Sequence, residues 1–295
     1  MLQIIFYVIL LGIAAVMLGD RSRPFVEASE YMNELIMKIV EIVMSFAPYG
    51  VFCLIAKTFS EQGIDLFLPV LGYVITLTTS LFLHLFVTLM LLLKLTTGLS
   101  PIIFLKKMRP VQIFAFSTAS SSATIPVTLR TVTQRIGVDN SVASFTVPFG
   151  ATINMDGTAI MQGVATVFLS NVYGIELGLV GYLTVILMSV LASIGTAGVP
   201  GVGLIMLTMV LAQVGLPVEG IAIILGVDQL MDMIRTAVNI TGDAVVSTIV
   251  AKQEGKFDIE VFNDADAGVM TDKALEIDLE AEARLSEAAY PRSKE

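Results

Sequence analysis

Between Arg135 and Lys252 the chain carries a single Lys or Arg, Arg235, within a stretch made almost entirely of apolar and small residues. That base stands in the segment GVDQLMDMIRTAVNITGDAVVSTIVAK together with Asp228, Asp232, Asn239 and Asp243. Counted from Asp228, the other four lie four, seven, eleven and fifteen residues on. On an α-helix, at about 100° per residue, all five fall within one narrow stripe. A helix this long and apolar belongs in a bilayer, where a carboxylate or guanidinium at mid-depth costs at least ~3 kcal/mol. Charges kept there face a cavity or each other. A set of buried structural ion pairs is the simpler alternative, yet three acids facing one base leave negative charge over, which an incoming cation would balance.

Composition leads independently to an integral membrane protein. Of the 295 residues, 55% are hydrophobic and only 15% charged, with a mean hydropathy of +0.85, a balance that does not suit a soluble core. One cysteine, Cys53, excludes an internal disulfide framework and a Cys-based metal cluster, and one histidine, His84, excludes a poly-histidine site. His84 lies within an apolar run and is expected to be a packed or interfacial helix residue rather than a ligand. The net charge of −9 belongs mostly to the C-terminal stretch, where residues 253–295 hold twelve acids against five bases. That stretch has few large apolar residues, so it is expected to be an acidic cytoplasmic tail, largely disordered, with one weak helix near Lys273 to Ala289 and room for a regulatory role. No basic patch points to nucleic acid.

Apolar spans run at about Ile4 to Leu18, Leu35 to Phe59, Phe67 to Leu95, Ser141 to Tyr173 and Ile221 to Ala251, with two broken stretches between them. The first is short, with no basic stretch before it and Arg21 and Arg23 after it, which argues against a cleaved signal. Basic residues cluster after the first span, at Lys94, Lys106, Lys107, Arg109, Arg130 and Arg135 around the first broken stretch, and at Lys252 and Lys256. The opposing loops, near Glu61 to Asp65, Asn171 to Glu176 and Gln213 to Glu219, carry acids and no Lys or Arg. This asymmetry puts the basic loops and the C-terminus in the cytoplasm of a multi-pass protein of the cell membrane.

Neither broken stretch, FSTASSSATIPVTL from Phe116 or SIGTAGVPGVG from Ser193, reads as a continuous helix. Each has a dense run of small residues followed by a proline, Pro126 or Pro200, with apolar helical sequence on both sides. These read as re-entrant hairpins, and non-helical backbone at membrane depth survives only where it lines a cavity or is buried by protein. Their tips are therefore expected to meet at a binding site. Each is followed by a helix with a related polar motif, Asn154-Met155-Asp156-Gly157-Thr158 and Asn239-Ile240-Thr241-Gly242-Asp243. Two hairpin-plus-helix units entering from opposite faces form an inverted repeat, the architecture of secondary transporters with a site near the midplane. In the first motif Gly150 and Gly157 flank a plausible point of unwinding, where carbonyl, Asn and Asp oxygens suit a hard cation such as sodium.

The serine triplet Ser120 to Ser122, the NMDGT and GTAGVPG segments and the DQLMDMIRTAVNITGD helix together resemble the dicarboxylate/amino acid:cation symporters, among them sodium-coupled glutamate and aspartate transporters. The likeness runs from Ile4 to about Lys252, corresponding to the family's late fourth helix through its eighth. It implies an all-α, multi-span, elevator-type transporter, homotrimeric in the lipid bilayer, coupled to sodium or protons and needing no cofactor. It divides the chain into partial scaffold and trimerisation helices at 1–62, a transport domain at 63–252 and the tail at 253–295. By the same resemblance Asp232 would pair with the substrate amino group and Arg235 with its side-chain carboxylate. Ser121, Thr158, Thr236 and Asn239 would hydrogen-bond the substrate, with Val199 and Gly203 of the second hairpin closing over it. One sodium would sit at Gly150, Asn154, Asn239 and Asp243, a second near Thr152, Met155, Ser193, Ile194 and Thr196, and part of a third at Asn154 and Asp156.

The charge logic of the stripe agrees with an acidic amino acid, because an Arg grips a carboxylate through paired hydrogen bonds and an adjacent Asp complements an ammonium. In the family's C4-dicarboxylate branch the positions matching Asp232 and Asp243 are not acids, which favours an amino acid and sodium here. Archaeal aspartate transporters carry an arginine just before the serine triplet and animal glutamate transporters carry its counterpart in the last helix. This chain has Ala119 and Met233 there, so the choice among glutamate, aspartate and a substrate such as cystine stays open. Because the family's earlier helices have no counterpart, the chain is expected either as a short form or as a piece of a longer protein, and a non-transporting membrane subunit is the alternative class. Asp156 and Asp243 as an intramembrane aspartyl protease dyad lack the Gly-x-Gly-Asp pattern, and a serine hydrolase lacks a Gly-x-Ser-x-Gly element. No enzymatic activity is expected.

Overall fold

Long apolar runs fold here into helices, with Gly98, Gly137 and Gly201 at positive φ where the chain turns, while Pro110, Pro126 and Pro148 lie inside helices. In the computed structural model, residues 2–46, 49, 52–53, 56, 60, 67–194, 196 and 198–269 are described. Helix α1 (Leu2–Leu18) passes through a 3-10 turn (Gly19–Ser22) into α2 (Arg23–Ser45). The second helix thus begins well before the expected Leu35, because Pro24 in its first turn favours helix initiation. Both helices expose large apolar side chains, among them Tyr7, Val16, Met17, Phe25 and Tyr31. The remainder of the expected Leu35 to Phe59 span, the Glu61 to Asp65 loop and the predicted helix near Lys273 to Ala289 lie wholly or partly outside the described residues.

Helix α3 (Phe67–Leu83) continues through a π-helical turn (His84–Leu89) into α4 (Met90–Thr97), and Leu68–Thr97 is long and apolar enough to cross a membrane. Gly98, at φ +72, closes it, its N–H bonding the Lys94 carbonyl at 2.9 Å. Next comes a helix–turn–helix pair, α5 (Pro101–Thr118) and α6 (Ser121–Thr131), the latter prolonged by a π-helical turn (Val132–Ile136). The break falls at Ala119 and Ser120, with the Ser120 hydroxyl capping α6 by accepting the Ala123 N–H at 3.2 Å. Pro126 lies inside α6 rather than at the break.

The expected single span from Ser141 to Tyr173 is two helices, α7 (Asn140–Ile153) and α8 (Asp156–Val172). Asn154 and Met155, with φ/ψ of −90/71 and −105/56, part them within the motif where unwinding was expected. A second helix–turn–helix pair follows, α9 (Gly178–Ile194) and α10 (Val202–Gln213), with Gly201 at φ +79 before α10. After a 3-10 turn (Val218–Gly220) comes α11 (Ile221–Gln253), whose 33 residues reach about 50 Å at 1.5 Å per residue. Helix α11 is the hub, packing against α3, α5, α7 and α8. Leu77, Leu81, Phe104, Met108, Met161 and Leu169 are among the buried side chains around it.

Of the expected tail, residues 254–269 are described, and most of them are exposed. A short helix, α12 (Ile259–Asn263), packs back on the molecule with Phe262 buried, because Phe257 and Phe262 supply apolar anchors in an otherwise acidic stretch.

Candidate substrate and cation site

The stripe predicted on the last helix is the buried polar seam of α11. Asp228, Arg235, Thr236, Asn239 and Asp243 are all buried, and Asp232 is half-buried. Arg235 is only 1% exposed, and its Nη2 lies 2.9 Å from Oδ1 of Asp232 and 3.2 Å from Oδ1 of Asp228. Neither contact has hydrogen-bond alignment: among the described residues Nε, Nη1 and Nη2 of Arg235 are buried without a well-oriented acceptor. A buried guanidinium carries five donors and no acceptor, and leaving them unmatched is costly. The site is therefore chemically suited to an additional planar, bidentate anion such as a carboxylate.

The tips of both helix pairs come to this seam. The Ser120 hydroxyl and the Ser122 N–H both donate to the Gly198 carbonyl, at 2.8 and 3.1 Å. The Gly201 N–H donates to Oδ2 of Asp232 at 3.0 Å. Gly203 stands over the guanidinium, where a Cβ would come 3.2 Å from Nη1 of Arg235, 3.2 Å from Cε of Met161 and 3.4 Å from Cγ2 of Thr158. Thr158, Thr236 and Asn239 cluster beneath it: the Asn239 amide reaches the Thr158 hydroxyl at 3.5 Å, and the Thr236 hydroxyl is held by the Asp232 carbonyl at 2.8 Å. Ser121 is buried at the first turn of α6, and Val199 lies half-buried between Gly198 and Pro200.

A second polar group lies deeper, where α7 breaks against α11. The Asn154 amide donates to Oδ1 of Asp243 at 2.9 Å, and a Cβ at Gly150 would sit 2.6 Å from that same oxygen. The Gly157 N–H donates to Oδ1 of Asn239 at 2.8 Å and to Oδ1 of Asp156 at 2.9 Å. A Cβ at Gly242 would meet Nδ2 of Asn154 at 2.7 Å and Oδ2 of Asp156 at 2.9 Å. The structure thus brings together Gly150, Asn154, Asn239, Asp243 and Asp156, oxygen-bearing residues around a broken helix, a donor set that fits a hard monovalent cation.

The other expected cation residues are spread over two places. Thr152 lies just before the break and Met155 within it, with Thr152 exposed and bonding the Pro148 carbonyl at 3.1 Å. Ser193, Ile194 and Thr196 close α9, where the Thr196 N–H reaches the Ser193 carbonyl at 3.1 Å. The tip of the second pair joins the two, since a Cβ at Gly198 would lie 3.2 Å from the Ala151 carbonyl oxygen.

Two site residues had no role from the sequence. Asp228 was read as part of the stripe, yet it is the second carboxylate against Arg235; its spacing of seven residues, two helical turns, is the signal that marks it. His84, expected as a packed residue, reaches Oδ2 of Asp156 with Nε2 at 2.7 Å. A lone histidine in an apolar run gave no hint of that partner.

The model of the sodium:dicarboxylate symporter family matches residues 1–253. An excitatory amino acid transporter of Caenorhabditis elegans is 39% identical over 251 residues, 84% of this chain and 50% of that protein. The proton/sodium-glutamate symport protein of Geobacillus stearothermophilus is 33% identical over 260 residues, 88% of this chain and 61% of its own length. Human excitatory amino acid transporter 2 is 37% identical over 251 residues, 84% of this chain and 44% of that protein. The chain spans roughly half the length of these relatives. With the family model covering most of the chain and the motif residues gathered at one seam, the chain belongs to the sodium:dicarboxylate symporter family.

Proposed function

We propose that the chain carries the substrate and cation site of a secondary symporter that takes up an acidic amino acid, glutamate or aspartate, or a related dicarboxylate, with sodium. The observation that carries this reading is the buried Arg235 guanidinium, without a well-aligned acceptor among the described residues and set beside the Asp232 carboxylate. One helix face thereby offers a cation to a side-chain carboxylate and an anion to an ammonium. The names of the relatives, excitatory amino acid transporter and proton/sodium-glutamate symport protein, support the same substrate class.

In this reading sodium binds first near Asp243, Asn154 and Asp156 and lowers the negative charge of the seam. The substrate then takes Arg235 with its side-chain carboxylate and Asp232 with its ammonium, while Thr158, Thr236, Asn239 and Ser121 hold the remaining polar atoms. Val199 and Gly203 close over it as the second helix pair folds down. The two pairs act as re-entrant hairpins of an inverted repeat, and residues 63–252 move across the bilayer as an elevator against the scaffold, helped by residues 1–62 in a homotrimer. The basic flanks put the C-terminus in the cytoplasm of a cell-membrane protein. The family is one of transporters rather than enzymes.

The test is sodium-dependent binding of radiolabelled aspartate to the purified chain, with glutamate, succinate, cystine and serine as competitors. Saturable binding that needs sodium and is displaced by acidic amino acids is the expected result. Binding unaffected by sodium, or displaced equally by serine, would overturn it.

A further inference from the structure

The far end of α11 is tied to the base of the first helix pair, away from the substrate seam. Gly255, at φ +68, turns the chain back, with the Lys256 N–H on the Ala251 carbonyl at 2.8 Å. Residues 256–258 then run antiparallel to 137–139: the Asp139 N–H donates to the Lys256 carbonyl at 3.0 Å and the Asp258 N–H to the Gly137 carbonyl at 2.7 Å. Gly137 has φ +92, and a Cβ there would overlap the Asp258 carbonyl oxygen, so only glycine fits. Asp258 caps α12 by accepting the Glu260 and Val261 N–H groups at 2.9 and 3.2 Å.

Lys107 closes the arrangement. Its side chain comes from α5 and is buried, with the residue 3% exposed. The ammonium donates to three carbonyls, those of Arg135 at 2.6 Å, Val261 at 2.7 Å and Asp264 at 2.7 Å. An ammonium has three donors, so the set is complete. Arg135 ends the second arm of the first pair, while Val261 and Asp264 belong to α12 and its end, where helix carbonyls are left over and a cation is favoured. Phe262, 1% exposed, lies under the same ammonium with its ring centroid 5.8 Å away. One lysine therefore joins both arms of the first pair and the strap that follows the last helix.

We propose that residues 256–264 form a clasp that, through Lys107 and Gly137, keeps the two arms of the first helix pair closed on each other and on α11, so that breaking either contact opens this pair alone. The contacts recorded above for the second pair's tip are of another kind: Gly198 to Ser120 and Ser122, and Gly201 to Asp232. A polar ligand can replace those, whereas nothing at the seam can replace the three carbonyls on Lys107. The clasp does not depend on which substrate the seam takes.

The experiment uses the full chain in detergent with Cys53→Ala and one reporter cysteine, either Thr128→Cys in α6 or Ser189→Cys in α9, both buried positions. Maleimide labelling rates are then compared with and without Lys107→Met, which removes the three hydrogen bonds and keeps the side-chain bulk. The expected result is labelling at Thr128→Cys faster by tenfold or more, with Ser189→Cys unchanged; Gly137→Ala, breaking the clasp from the opposite side, should do the same. Unchanged labelling at Thr128→Cys in both variants, or equal acceleration at both reporters, would overturn the proposal. Hydrogen exchange on the unaltered chain keeps the test open should the variants not fold: the Asp139 and Asp258 amides are expected to exchange as slowly as that of Ala244 in the core of α11, and exchange at the rate of an open loop sinks the clasp.

Discussion

The Gly201 N–H donates to Oδ2 of Asp232 over 3.0 Å, while Oδ1 of the same carboxylate lies 2.9 Å from Nη2 of Arg235. The tip of the second helix pair thus occupies the carboxylate that the substrate's ammonium is proposed to take. Closure of that tip and binding of the amino group draw on one acceptor, so a change at Asp232 separates them. Asp232→Asn keeps an oxygen for the Gly201 amide and removes the charge. We expect its melting temperature to stay near that of the parent, with affinity for aspartate lower by 100-fold or more, about 3 kcal/mol, the scale of losing a charged partner. Equilibrium binding isotherms check this, and retained affinity would mean that the ammonium is held elsewhere.

Arg235 separates acidic from neutral substrates. Arg235→Cys removes the base that faces Asp228 and Asp232, so acidic amino acids should lose binding while small neutral ones such as serine gain it. A neutral ligand carries no second carboxylate to repel those acids. Competition binding with aspartate and serine reads the ratio, and aspartate binding equal to the parent's would remove Arg235 from the substrate site.

Glycines give a sharper test of the cation group. A Cβ at Gly150 would come 2.6 Å from Oδ1 of Asp243, whereas a Cβ at Gly163 meets nothing within 4 Å among the described residues. Both lie within helices, so backbone strain is not the difference. Gly150→Ala should raise the sodium concentration for half-saturation by tenfold or more, and Gly163→Ala should leave it unchanged while stabilising the fold by about 0.5–1 kcal/mol through helix propensity. Sodium titrations at fixed substrate decide it, and equal half-saturation in the two variants would place the cation away from Asp243.

The helices and the two polar motifs were legible because apolar runs, small-residue breaks and a helical charge stripe act through local periodicity. The break at Asn154 and Met155 could be anticipated for the same reason. Boundaries set by a proline or a cap were less legible, as at Arg23, where the helix starts ahead of its apolar part. Pairings between distant elements were legible only where the broken stretches or the family resemblance named them, as for Asn154 and Asp243. Nothing near His84 signals Asp156, 72 residues on, and nothing in an acidic stretch signals that Phe262 and Lys107 fasten it. Those contacts depend on tertiary approach, which one chain's periodicity does not encode.

Asp139 supplies a pH test outside the apolar spans. Its Oδ1 accepts the Ser141 N–H at 2.8 Å, and the Ser141 hydroxyl bonds the same oxygen, which together hold the carboxyl below its ordinary range. A carboxyl whose pKa is depressed on folding adds stability that is present above its unfolded pKa, near 3.9, and is lost as pH falls through the lower folded value. Asp139→Ala should therefore melt below the parent at pH 7, with the two curves converging as pH drops below about 4. A constant gap across that range would show that the side chain acts through packing alone.

His84 stands in the π-helical turn and Asp156 at the start of α8, and their 2.7 Å contact is partly buried, with side-chain exposures of 21% and 18%. Removing one partner leaves the other without its mate in a poorly solvated place, which costs about 1–3 kcal/mol. Removing both costs less than the sum of the single changes, so the pair is best measured as a cycle. His84→Leu and Asp156→Asn should each lower the melting temperature of the sodium-free chain, and the double variant should be less destabilised than additivity requires. Sodium adds a second axis. If Asp156 contributes to a cation site, saturating sodium stabilises the parent, and it should stabilise Asp156→Asn less whether or not His84 is present. Melting curves of the four forms with and without sodium therefore distinguish a histidine that positions a cation-binding carboxylate, where His84→Leu also shrinks the sodium shift, from one that only fills a polar gap, where the His84→Leu shift equals the parent's; equal shifts in all four forms would remove Asp156 from the cation site.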